Sequence, residues 1–145
     1  ARVARVNTIL GGIAGLFGGT LTLERLLGWI LWPLAWAMGV PASEAYAAGQ
    51  LLGVKIVVSE YVSYLQMGAM IQADPAALSQ HTRLIMTYAM CGFANFASLG
   101  IMLGGLAQLA PDRREDIVAL GARTLISGNL ATMLTGAVVG LIHFF

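Results

Sequence analysis

Four side chains, Glu60, Phe93, Asn95 and Ser98, are the ones with which this sequence could hold a polar ligand. Glu60 is a carboxylate in an otherwise apolar stretch. At membrane depth a carboxylate costs several kcal/mol unless it is paired or hydrated, which makes it a functional-site candidate by default. The competing reading is an ion pair with Lys55, itself a residue expected to pair or to snorkel. Asn95 and Ser98 are three apart and share a helix face. Phe93 is two residues from Asn95, about 200° away on a regular helix. For Phe93, Asn95 and Ser98 to face one cavity, the helix must be interrupted between them, and Gly92 makes that inexpensive. A broken helix at mid-membrane is how secondary transporters build substrate sites. The alternative is a helix–helix interface joined by an Asn, with Phe93 as packing.

Other chemistries find no support. Cys91 is the single cysteine, so an internal disulfide and a thiolate metal site are excluded. His81 and His143 have no partner at metal-ligand spacing, and no metal or covalently bound cofactor is expected. There is no phosphate-cradling loop, no nucleophile elbow and no His–carboxylate pair at membrane depth, so an enzyme is not expected. A net charge of +1 argues against nucleic acid as a partner, because phosphate neutralisation needs clustered Lys and Arg.

The elements that must position these residues follow from composition. Of 145 residues 58% are hydrophobic and 10% charged, and mean hydropathy is +0.78. Soluble domains carry about 25% charged residues. The sequence therefore reads as an all-α integral membrane protein. Charge-free runs cover 6–23, 26–43, 61–73, 84–111 and 124–145. A spanning helix needs about 20 apolar residues. Residues 84–111 and 124–145 meet this easily, and 6–23 narrowly, with Arg2 and Arg5 just before. The first residues, Ala1-Arg2-Val3, carry no secretory signal pattern and read as a piece of a longer polypeptide.

Trp29, Trp32 and Trp36 fall in one short segment with Pro33. Tryptophan favours the membrane–water interface, so 22–38 reads as an amphipathic interfacial helix, with a short spanning helix as the competitor. Residues 42–73 are apolar but interrupted by Glu44, Lys55 and Glu60. Neither charge-free half spans alone, which predicts a re-entrant hairpin with Glu60 near its tip. A broken transmembrane helix is expected over 82–108 and the last one over 114–143. The loop 111–116 carries two Arg and reads as cytoplasmic. Asp112, with Glu115, is expected to cap the last helix. Gly11/Gly15/Gly19, Gly100/Gly104 and Gly136/Gly140 predict close helix packing. Asn129, Thr132 and Thr135 read as an interhelical polar stripe, Cys91 as a small packing residue, and the Met residues as core filler.

These features, in this order, resemble the C-terminal half of the concentrative nucleoside transporters. The matching stretches are Leu27-Gly28-Trp29-Ile30, Pro33-Leu34-Ala35-Trp36, Met38-Gly39-Val40-Pro41 and Lys55-Ile56-Val57-Val58-Ser59-Glu60-Tyr61-Val62-Ser63-Tyr64. Cys91-Gly92-Phe93-Ala94-Asn95-Phe96, Ala110-Pro111-Asp112-Arg113-Arg114 and Gly128-Asn129-Leu130-Ala131-Thr132 complete them. The resemblance covers nearly the whole chain. It implies transmembrane helices with a re-entrant hairpin and a discontinuous mid-membrane helix, related by an inverted repeat to an N-terminal half. Glu60 and Asn95 would bind ribose hydroxyls, with Ser98 beside them and Phe93 near the sugar or base face. A carboxylate suits a diol, since charge-assisted hydrogen bonds are about twice as strong as neutral ones.

The resemblance further implies a multi-pass protein of the plasma (inner) membrane, a homotrimer that symports nucleosides with Na+ or H+ by an elevator-like motion. Residues 3–20 would belong to the trimer scaffold, and 22–38 would lie beneath the hairpin. The N-terminal repeat would supply the base-contacting hairpin and the coupling-ion site, and the chain alone would not transport. Ser59, Tyr61, Ala97 and Ser79-Gln80-His81 depart from the family pattern. They put nucleoside selectivity in doubt but leave the four contacts intact. The alternative function is a non-transporting membrane scaffold or assembly subunit with the same fold.

Overall fold

The computed structural model describes residues 23–144, together with Thr8. The helix expected over 3–20, Thr8 apart, and the Gly11/Gly15/Gly19 stripe lie outside the described residues. Among those described, every regular element is a helix. α1 spans Leu23–Ala37, α2 Ala42–Val57, α3 Glu60–Ala73, α4 Gln80–Met90 and α5 Phe96–Leu109. A 3-10 turn, Pro111–Arg113, leads into α6, Arg114–Phe144.

α2 is the central rod. Ala45, Ala48, Leu51, Leu52 and Val54 are buried on it, and so is Lys55. A helix buried on nearly all sides needs neighbours all round, and α1, α3, α4 and α5 supply them. α1 turns Gly28, Leu31 and Ala35 towards α2 at helical spacing, while Trp29, Ile30 and Trp36 are exposed. The helix runs through Pro33, which lacks the N–H that would bond to the Trp29 carbonyl. Trp29 packs edge-on against Tyr46, with ring centroids 5.6 Å apart. Between the two helices Gly39 adopts φ +96°, a conformation that side-chain-bearing residues rarely take.

The α1–α2 approach depends on Gly49. A Cβ there would lie 2.7 Å from the Gly28 carbonyl oxygen and 3.0 Å from the Trp32 nitrogen, both backbone atoms that cannot rotate away. Gly49→Ala is therefore expected to cost about 1–3 kcal/mol by overpacking. Thermal unfolding of the purified full-length protein checks this, and an unchanged midpoint would mean that the two helices are not held this closely.

α2 ends in the β-branched pair Ile56-Val57, with Val58 following, a run that crowds a helix. Only Val58 and Ser59 separate it from α3, where Ser59 is extended and its hydroxyl accepts the Val62 N–H at 3.4 Å. The two helices are tied midway by Ser63, whose Oγ donates to the Leu51 carbonyl at 2.7 Å. At the far end Glu44 Oε2 accepts both the N–H and the hydroxyl of Ser79, each at 3.0 Å, joining the start of α2 to the start of α4.

The charge-free run 84–111 is two helices rather than one span. α4 stops at Met90 and α5 starts at Phe96, leaving a 14-residue apolar helix. Composition cannot distinguish a broken apolar run from a continuous one. Among the described residues one helix, Pro111–His143, is long and apolar enough to cross a membrane. The 31 residues of α6 give about 46 Å, more than the roughly 30 Å of a hydrocarbon core. Asp112 does not cap it. Pro111 starts the 3-10 turn before it, Asp112 lies inside that turn, and Arg113 pairs with Asp116 at 2.7 Å.

α6 packs on α4 through Gly136, where a Cβ would lie 2.8 Å from the Ile85 carbonyl oxygen, and through Gly140 beside the Ile85 side chain. Gly100 and Gly104, by contrast, meet no neighbour among the described residues. Met86, Met90 and Met133 are buried, as core filler would be. The outer faces of α5 and α6 are strongly apolar and exposed, with Leu109 84% and Ile101 79% exposed.

Candidate functional site

The site forms where four helix ends meet: the C-termini of α2 and α4 and the N-termini of α3 and α5. Glu60 lies in the first turn of α3, where the helix dipole favours negative charge. Asn95 is extended at the N-cap of α5, and its Oδ1 accepts the Ser98 N–H at 2.8 Å. Asparagine is among the best N-cap residues, which explains why the helix restarts there. With Oδ1 on the backbone, the amide nitrogen is turned away from it. Nδ2 donates to Glu60 Oε2 at 2.9 Å. Asn95 is buried, while Glu60 is half-buried, and among the described residues nothing donates to its Oε1.

Phe93, Asn95 and Ser98 converge on one open cleft of about 370 Å³, with Met102, Thr124 and Leu125 among its other walls. Small-molecule sites typically run from about 300 to 1,000 Å³. Phe93 is 77% exposed and packs into no core among the described residues. Glu60 does not line this cleft and is joined to it through the Asn95 amide. The unwound stretch Cys91–Asn95 lets Phe93 and Asn95 share a side, which a regular helix would forbid. Cys91 is exposed in that stretch instead of packed.

The ion pair between Lys55 and Glu60 does not form. Lys55 is fully buried, and its Nζ donates to Asn129 Oδ1 at 2.7 Å and to Thr132 Oγ1 at 2.8 Å. Asn129 Nδ2 in turn donates to the Ala94 carbonyl at 2.8 Å and to the Leu125 carbonyl at 2.9 Å. Asn129 and Thr132 of the polar stripe thus bond across helices. Thr135 does not: it is exposed and donates back to Ala131 within α6. Lys55 and the α6 residues Thr124, Leu125 and Asn129 are what the sequence left unassigned to the site. Only the burial of an unpaired lysine in an apolar helix could have pointed to the first. His81 and His143, 62 positions apart in the chain (143 − 81), face each other with ring centroids 5.8 Å apart. Among the described residues no cluster of three or more His, Cys, Asp or Glu could hold a metal ion.

Residues 1–140 match the family model described as the C-terminus of the Na+-dependent nucleoside transporters. The chain is 46% identical to the uncharacterized transporter YutK of Bacillus subtilis, over 97% of the chain and 34% of that protein. It is 38% identical to the nucleoside permease NupC of Helicobacter pylori, over 83% of the chain and 29% of that protein. Its fold is similar to that of CNTnw in an inward-facing substrate-bound state, with a TM-score of 0.88 and 42% identity, over 96% of this chain and 34% of that one. The chain spans about a third of the length of these relatives. They are transporters and not enzymes. By the match over nearly its whole length, the chain belongs to the concentrative nucleoside transporter family and corresponds to its C-terminal part.

Proposed function

We propose that this chain supplies the ribose-binding half of the substrate site in a cation-coupled nucleoside symporter. The observation that carries this reading is the 2.9 Å hydrogen bond from Asn95 to Glu60 between two helix N-termini, with Phe93 and Ser98 on the adjoining cleft. It leaves one carboxylate oxygen free to accept from a sugar hydroxyl. The Ser98 hydroxyl is likewise uncommitted among the described residues and can donate or accept. Phe93 offers an apolar face to the sugar or base.

The helices Ala42–Val57 and Glu60–Ala73 act as a re-entrant hairpin, and the pair α4 and α5 as a discontinuous mid-membrane helix. In this reading the irregular backbone at both tips borders a water-filled substrate path, the condition under which it is tolerated at membrane depth. The coupling ion is Na+, as in the family's description, held by the N-terminal part that the longer relatives possess. The exposed apolar faces of α5 and α6 are covered by lipid, by that N-terminal part and by the other subunits of a homotrimer in the plasma (inner) membrane.

Uptake by the full-length protein in proteoliposomes tests the reading. An inward Na+ gradient is expected to drive accumulation of labelled uridine, with free uracil failing to compete. A protein whose thermal stability is indifferent to every nucleoside, and which takes up none, would instead be a membrane scaffold of the same fold.

A further inference from the structure

Lys55 is among the largest fully buried side chains, yet it does not line the cleft. Its ammonium can only donate hydrogen bonds. Asn129 must therefore turn Oδ1 towards it, which leaves Nδ2 facing the Ala94 carbonyl. Ala94 and Asn95 share a peptide unit, so the plane that Asn129 holds is the one from which Asn95 departs. The second acceptor acts alike. Lys55 fixes Thr132 through Oγ1, and the Thr132 methyl then bounds Gly92, where a Cβ would lie 2.5 Å from it. Both groups that Lys55 grips touch the unwound stretch, and Gly128 abuts it at Ala94. Lys55 also precedes Glu60 by five positions (60 − 55), at the end of α2 whose dipole favours a cation.

We propose that Lys55 is a positioning residue for the sugar site: by orienting Asn129 and Thr132 it sets the unwound stretch so that Asn95 meets Glu60. This rests on the ribose reading above. A purely structural tether would hold the helices together without setting the aim of Asn95.

Two variants separate these roles. Lys55→Met removes the donor at similar length. Asn129→Asp keeps an acceptor on Lys55 but loses the donor to Ala94. The measurement is calorimetric binding of uridine and 3′-deoxyuridine to the purified full-length protein. If Lys55 positions the site, both variants lower the preference for uridine by about 10-fold or more, since bonds to a charged group are worth about that or more. If both keep that preference within about twofold of the unaltered protein, the positioning role is overturned, whatever happens to stability. Should Lys55→Met fail to fold, Asn129→Asp decides by the same criterion. Glu60→Gln is the control. If it leaves uridine binding and the preference unchanged, the ribose reading itself falls and takes this inference with it. If Glu60→Gln loses them while the other two keep them, only the role of Lys55 falls.

Discussion

Glu60→Gln in the full-length protein is expected to cut uridine affinity by about 10- to 150-fold, with membrane insertion and thermal stability retained. The substitution keeps side-chain length, and the Gln carbonyl oxygen can still accept from Asn95 Nδ2, so the tie between α3 and α5 survives. What is lost is the charge on the free oxygen. A hydrogen bond to a charged group contributes about 1.5–3 kcal/mol, against about 0.5–1.5 for a neutral one. Gln also places a donor where the hydroxyl needs an acceptor, so the charged bond is removed and not merely weakened. Its 1.5–3 kcal/mol is about 10- to 150-fold. Equilibrium binding and initial uptake rates measure it, and the same substitution should matter far less for a nucleoside lacking the hydroxyl concerned. Uridine uptake at the normal rate by this variant would remove Glu60 from the sugar site.

How much of this was legible in the sequence depends on distance along the chain. The scarcity of charge marked a membrane protein, and the carboxylate at position 60 stood out because lipid tolerates few. Local signals also carried weight. Gly92 is a local feature that favours a break, and α4 and α5 do end and begin on either side of the unwound stretch Cys91–Asn95. Long-range partners were not legible. Lys55 reaches Asn129 and Thr132, 74 and 77 positions away, and no periodicity encodes such a pairing. Nearness in the chain instead favoured Glu60, five positions on, but the two lie on different helices either side of the Val58–Ser59 turn. The glycine pattern was legible only in part, for a related reason. Regular spacing singled out Gly136 and Gly140, which pack on α4, but also Gly100 and Gly104, which meet nothing among the described residues, while close α1–α2 contacts fall on Gly28, Gly49 and Gly53 in different helices. Spacing within a helix reports that a face is smooth and not what meets it. The placement of Asn95 with Glu60, finally, was suggested by the family resemblance and not by composition or spacing.

Asn95→Asp should be more damaging than Glu60→Gln, although it changes a single atom. Asn95 has two jobs, which its two amide atoms divide. Oδ1 caps α5 through the Ser98 N–H, and Nδ2 binds Glu60. Aspartate caps a helix as well as asparagine does, so α5 should still begin at Phe96. Its second oxygen, however, takes the place of Nδ2 at hydrogen-bond distance from the Glu60 carboxylate, in a position buried to 1% exposure. Like charges about 4 Å apart repel by about 4 kcal/mol at an effective dielectric constant near 20, equivalent to roughly a thousandfold. The expected result is loss of measurable uridine binding together with a lowered unfolding temperature. Asn95→Ser separates the two jobs. Serine retains the cap but is too short to reach Glu60, so the variant should stay folded and lose affinity without the electrostatic penalty. Its affinity should fall between those of Asn95→Asp and the unaltered protein. If Asn95→Asp and Asn95→Ser both bind uridine as tightly as the unaltered protein, the bond from residue 95 to Glu60 does not build the sugar site. The shared sugar site would then have to be abandoned.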